Sequence, residues 1–230
     1  MKVRIKFSKT GALVYIGHLD VMRYFQKLFR RADIPISYSE GFSPHQILSF
    51  SHPLPLGMES DGEYADIELT ESISSQHAID RLMRESVPEI TILSFKQLPD
   101  KCDNAMSSVR AARYTVDFGE SFPFEDLEKA CCSLLDKTEV IVTKVTKKNT
   151  KEEDIRPYIY ELKSINSTTI EMLISSGSIY NVKPEHVVSA LTSLYGYSID
   201  ENDLVMRRIE QYTSINDKLV CLDDIGNEIK

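Results

Sequence analysis

The chain has 230 residues, 42% hydrophobic and 27% charged, which is an ordinary globular balance and long enough for one large or two small cores. The net charge of −8 argues against indiscriminate nucleic-acid binding. No apolar run reaches the roughly 20 residues of a membrane-spanning helix.

Residues 2–8, KVRIKFS, alternate strictly, with Val3, Ile5 and Phe7 on one face and Lys2, Arg4 and Lys6 on the other. That pattern predicts a half-buried strand. From His18 to about Ala32 the period turns helical, with Asp20 in the first turn and Arg30 and Arg31 in the last, as the helix dipole favours. Ile34–Tyr38 reads as short and extended. A Gly/Pro-rich loop follows, then a strand at 47–51, a strand at 62–69, a helix from Ser74 to Ser86 and a strand at 89–95. The order is β-α-β-β-α-β, the signature of a ferredoxin-like fold.

The polar run at 99–108 reads as a linker. A second half then repeats the pattern: strand 112–118, helix 124–135, strand 139–145, a charged loop at 146–154 and strand 168–175. Helix 184–195 and strand 203–212 complete it. Segment 155–165 is either a strand or a short helix. The expected architecture is therefore α+β, with tandem ferredoxin-like units at 1–98 and 109–230 and mostly antiparallel sheets.

The four cysteines, Cys102, Cys131, Cys132 and Cys221, form no CxxC pattern, so reduced structural thiols are expected and neither metal nor cofactor is. The N-terminus lacks the apolar core of a signal peptide, and the expected location is cytoplasmic, away from membranes. Motifs for a phosphate-binding P-loop, a dinucleotide site, a zinc protease or a serine hydrolase are missing.

Charge is uneven. Residues 1–60 carry a balance of +4, whereas the remainder carries −12. Asp20, Arg23, Lys27 and Arg30 recur at helical spacing and form one stripe. His18 stands at the helix entry, where unpaired N–H groups favour anions. Two readings stay open: a solvated, internally paired face, or a convergence of His18, Arg23, Arg30 and Arg31 on phosphate. The loop residues Ser39, Glu40, Gly41, Phe42, Pro44 and His45 shape an unusual path, and His45 is expected near the basic stripe. His18 and His45 are the candidate acid–base residues, but no nucleophile accompanies them. On the outer face of the first strand, Lys2, Arg4 and Lys6 are expected to lie opposite the set Tyr64, Asp66 and Glu68 of a neighbouring strand, which neutralises them through cross-strand pairs. The competing reading is an RNA-facing sheet.

The landmarks in order are a basic strand, the GHLD helix start at 17–20, the SEGFSPH loop at 39–45, the PLPLG turn at 53–57 and the EYAD strand at 63–66. Together these motifs resemble the radical SAM-linked domain family of bacteria. The likeness is close over 2–69, with weaker landmarks at 154–159, 183–191 and 206–212. Gln46 and Ile47 stand where that family often has Pro and a basic residue, and Ser43 stands where Asn is common. The resemblance implies a radical SAM protein as partner. This chain lacks a cluster-binding cysteine triad, so its implied role is that of an accessory protein. An RNA or ribosome-related substrate is implied as a further partner. Three functions remain in view: RNA recognition through the basic N-terminal region, metal-independent RNA processing by His18 and His45, and docking to another protein.

Overall fold

The computed structural model describes residues 1–119, 124–145, 150–200 and 203–230. It is a mixed α+β protein with mostly antiparallel strand pairing. Backbone packing divides it into two units: residues 1–110 with 210–230, and residues 111–209.

In the first unit, β1 (Lys2–Lys9) lies between β3 (Glu59–Glu68) and β4 (Ile90–Gln97), with the short β2 (Leu48–Phe50) beside β3. The order β4-β1-β3-β2 is antiparallel throughout. Helices α1 (His18–Arg31) and α2 (Ser75–Glu85) supply apolar faces. Val21, Phe25, Leu28 and Phe29 of α1 are buried with Ala78 and Leu82 of α2 in the cluster that holds Val3, Ile5 and Phe7. The Phe7 and Phe25 ring centroids are 4.6 Å apart. Ser74 caps α2, its hydroxyl accepting from the His77 N–H.

The expected half-burial of β1 does not hold. Arg4, on the supposedly wet face, is 1% exposed, and Ser8 and Lys9 are buried as well. A second small core covers that side, in which Ala105, Val109 and Leu222 pack with Tyr64. The run expected to be a linker therefore contains a packed helix, α3 (Ala105–Ser108), capped by Asn104. The C-terminal segment 210–230, expected in the second domain, belongs to the first unit. Its β11 (Lys218–Cys221) pairs with β10 (Val205–Ile215), and its β12 (Asn227–Glu228) pairs with β4. Strand β10 thus begins in one unit and ends in the other. It runs past the expected end at 212 because Thr213, Ser214 and Ile215 pair with Val220, Leu219 and Lys218.

In the second unit, β5 (Ala111–Asp117) and β8 (Ile159–Ser164) flank β9 (Thr169–Ser175). Helices α4 (Leu127–Leu135) and α5 (Pro184–Ser193) bury Leu134 and Leu191. The ambiguous segment resolves into a single 3-10 turn at 156–158 followed by β8, since Pro157 suits a turn start and not a strand. The expected charged loop is partly strand: β7 (Thr150–Asp154) pairs with β6 (Ile141–Val145), while residues 146–149 lie outside the described set. Cys131 is buried, which pushes its thiol up to about 12, and Cys132 faces solvent.

Candidate nucleic-acid interface

The SEGFSPH loop is the tip of a closed hairpin. Ser37 N–H donates to the Glu68 carbonyl at 2.6 Å, which joins one arm to the end of β3. Ile47 N–H donates to the Ser37 carbonyl, Tyr38 bridges Gln46, and Ser39 N–H donates to the His45 carbonyl at 2.8 Å. Residues 40–44 make the turn, and Gly41 takes φ +106°, a conformation that side chains rarely adopt.

The Ser39 hydroxyl oxygen accepts from the His45 N–H at 3.1 Å and lies 2.9 Å from His45 Nδ1. These two contacts hold the His45 ring against the base of the loop. Phe42 is fully exposed at the tip. Nothing in the described residues covers this ring, so it contributes no burial to the fold.

The hairpin is tied to α1. Gln46 Nε2 donates to the Gln26 carbonyl at 3.3 Å, and Arg30 Nε donates to the same oxygen at 3.1 Å. The loop therefore meets the C-terminal half of the basic stripe, beside Arg30. Arg23 pairs with Asp20 at 3.1 Å, both well exposed. Arg31 donates to the Glu85 carbonyl at 3.0 Å and lies 3.7 Å from the Glu85 carboxylate. Exposed pairs of this kind are weak and exchange readily for another anion.

His18 lies elsewhere. Its ring stands edge-on to Phe50 at 5.5 Å and lines a cavity of about 20 Å³ with Lys9, Ser51, His52 and Glu63. That volume holds about one water. The rise of the helix puts His18 roughly 18 Å along the axis from Arg30. His18 and the two C-terminal arginines therefore do not converge on one phosphate. His45 lines a different cavity, of about 300 Å³, so the two candidate catalytic histidines share no cavity. No group of three or more His, Cys, Asp or Glu side chains among the described residues is placed to hold a metal ion.

The expected cross-strand register is present, but among the described residues only Arg4 is neutralised by the residue it faces. Lys2, Arg4 and Lys6 face Glu68, Asp66 and Tyr64 in register. Arg4 and Asp66 form a buried pair at 2.8 Å, and Lys6 reaches Glu210 at 2.6 Å. Burial opposes the charge on Lys6, but the hydrogen bond to Glu210 and its charge outweigh that and raise its pKa. Around Arg4 and Lys6 this face of the sheet is covered by the chain itself, whereas at its edge Lys2 is exposed and lines a cavity with Asp66 and Glu68.

Residues 2–184 match the family described as "uncharacterized protein conserved in bacteria", DUF2344. The chain belongs to the DUF2344 family. A search of curated proteins gives no match for this DUF2344 chain. Among solved structures it is similar to a chain from the "Crystal Structure of a Cbf5-Nop10-Gar1 Complex", at 8% identity and a TM-score of 0.47. The likeness covers 91% of this chain and 48% of that one, so the DUF2344 chain spans about half the length of that neighbour.

Two features of the DUF2344 site escaped the sequence reading. The buried Gln46 amide is a central joint, although from the sequence it stands out only as a departure from the resembled pattern. Tyr38, half exposed beside the loop and within reach of Gln46, gives no signal in a five-residue extended segment.

Proposed function

We propose that this protein binds single-stranded RNA through the SEGFSPH hairpin and the exposed face of α1, as an accessory to a separate radical SAM enzyme. The observation that carries the reading is Phe42: a fully exposed aromatic ring on a hydrogen-bonded hairpin that is fastened to the carbonyl Arg30 also holds. An exposed aromatic beside arginines is the arrangement that stacks an unpaired base while neighbouring cations hold its phosphates. Arg23, Lys27 and Arg30 supply that positive face, and the +4 balance of residues 1–60 concentrates it on an otherwise acidic chain.

The accessory role rests on the motif resemblance, and the tandem ferredoxin-like plan on the β-α-β-β-α-β order. In the first unit the antiparallel order β4-β1-β3-β2 supports that plan.

The test is recovery of the tagged protein from its native cells with and without ribonuclease. The reading expects co-recovered RNA that disappears when Arg23, Arg30 and Arg31 are changed together to Ala. A protein complex that survives nuclease and carries no RNA would replace it with a docking function.

A further inference from the structure

We propose that an extended segment of a partner protein docks along the open edge of β6 and adds a third strand to the β6–β7 sheet. This edge shares no residue with the SEGFSPH hairpin. Among the described residues β6 pairs with β7 alone. The Ile155 N–H donates to the Val140 carbonyl at 2.9 Å, just ahead of the strand and in the same register. Along an antiparallel strand the hydrogen-bonding groups of successive residues point to opposite sides. Val140 and Val142 therefore turn their backbone groups towards β7, whereas Ile141 and Thr143 turn theirs to the other edge. No backbone group among the described residues pairs with Ile141 or Thr143 there.

That edge borders a cavity of about 520 Å³, which lies wholly within the second unit. The lining takes in every residue from 139 to 143 and none of β7. A cavity over a face of the sheet would meet alternate residues only, so contact with the whole run places this one along the edge. The far wall is α5. His186, Ser189, Ala190 and Ser193 recur at helical spacing and line the cavity, while Val187, Val188 and Leu191 are buried on the other side of the helix. Ser189 and Ser193 are exposed and Ala190 is half-buried, so this flank of α5 is short-chained and open.

The edge selects its occupant by hydrogen bonding. Its free N–H and C=O groups recur at every second residue, and a second extended backbone presents matching groups at the same repeat. Exposed edges are ordinarily guarded by a Pro, a bulge or an unpaired Lys. β6 has no Pro, its register with β7 is unbroken, and its Lys144 is held by Glu153 at 2.7 Å. A strand seated beside it turns alternate side chains to opposite faces. Those turned towards α5 meet Ala190 and Leu194 and should be apolar. The others emerge beside Ile141, which is 52% exposed, and should be polar. A second copy of this chain fits poorly through its own β6, because that edge is walled by α5 in each copy.

A phage-displayed library of random eight-residue peptides, selected against the full chain, supplies the probe: the enriched peptide, synthesised with blocked ends. It is expected to bind saturably. N-methylation of every second amide should abolish binding and methylation of the alternate set should be tolerated, because only one set faces β6. Thr143→Pro removes a donor from the open edge and leaves the β7 ladder intact. Ser193→Arg fills the groove from the α5 side. Each folded variant should weaken the peptide about tenfold or more, the upper end of what one lost hydrogen bond costs. If Thr143→Pro does not fold, Ser193→Arg and the methylated peptides decide. No enriched peptide, a peptide that binds either folded variant as tightly as the wild type, or equal losses from the two methylation sets overturns the proposal. A dimer of the chain that Thr143→Pro dissociates would give the edge to a second copy and also overturn it.

Discussion

Arg4 and Asp66 face each other across β1 and β3 and form two parallel hydrogen bonds, Nε to Oδ1 at 2.8 Å and Nη2 to Oδ2 at 2.9 Å. Asp66 Oδ2 also accepts from the Ala105 N–H at 2.7 Å, and Arg4 Nη2 donates to the Asp103 carbonyl at 3.3 Å. The pair therefore fastens the 103–109 segment onto the sheet. A buried ion pair adds little net stability, because desolvation offsets attraction, but removing one partner strands the other. Arg4→Met is expected to cost about 3–5 kcal/mol in urea unfolding. It should also make residues 99–108 the first site of limited proteolysis. A loss below about 1 kcal/mol, with proteolysis unchanged, would show that the pair is dispensable.

Tyr64 and Glu210 give a second expectation. The Tyr64 hydroxyl donates to Glu210 Oε1 at 2.5 Å, while Lys6 Nζ holds Oε2 at 2.6 Å. Burial, with the Glu210 charge beside it, holds the phenol far above its ordinary pKa, so the proton stays on Tyr64. Tyr64→Phe removes one donor from a buried carboxylate and should cost about 1–3 kcal/mol. The readout is a lower urea midpoint at constant denaturant sensitivity.

Asp223 should contribute to the acid sensitivity of the fold. Burial pushes its carboxyl up, but Lys96 Nζ at 2.7 Å and the Ser94 hydroxyl outweigh that and hold it below the ordinary 3.8. A carboxylate depressed in the folded state stabilises fully above its unfolded value and loses that contribution as pH falls through the folded one. The affected window therefore lies below about 3.8. Asp223→Asn should lower stability at neutral pH and flatten the acid limb of the stability curve. Parallel acid limbs for the two proteins would remove Asp223 as the source.

Phe42 should separate binding from folding. Phe42→Ala is expected to leave unfolding free energy within about 0.5 kcal/mol, because the ring touches nothing it stabilises. RNA affinity should fall by about 1–3 kcal/mol, the worth of one stacked base. Unchanged affinity would show that the tip does not stack.

Much of the first unit is legible in its sequence, for identifiable reasons. Period-two alternation in β1 and β3 gives both strands and the placing of Lys2, Arg4 and Lys6 opposite the set Tyr64, Asp66 and Glu68, because a register is set by which face is apolar. The helical stripe of α1 is likewise read from spacing. The burial of Arg4 is not legible, since the groups covering it come from residues 103–109 and from Leu222, more than two hundred positions away. A polar run such as 99–108 looks like a linker until a buried carboxylate accepts its first helical N–H. For the site, Gly and Pro mark the SEGFSPH loop, but the separation of His18 from Arg30 follows only from the length of the helix between them.

The measurement that tests RNA binding most directly is the salt dependence of affinity for a short unstructured RNA, for the wild-type chain and for Arg23, Arg30 and Arg31 changed together to Ala. If these three side chains hold phosphates, the triple variant should bind more weakly, and the slope of log affinity against log salt should flatten by about 2, at roughly 0.7 per phosphate contact on a single strand. Identical affinity and slope in a folded triple variant would contradict the account.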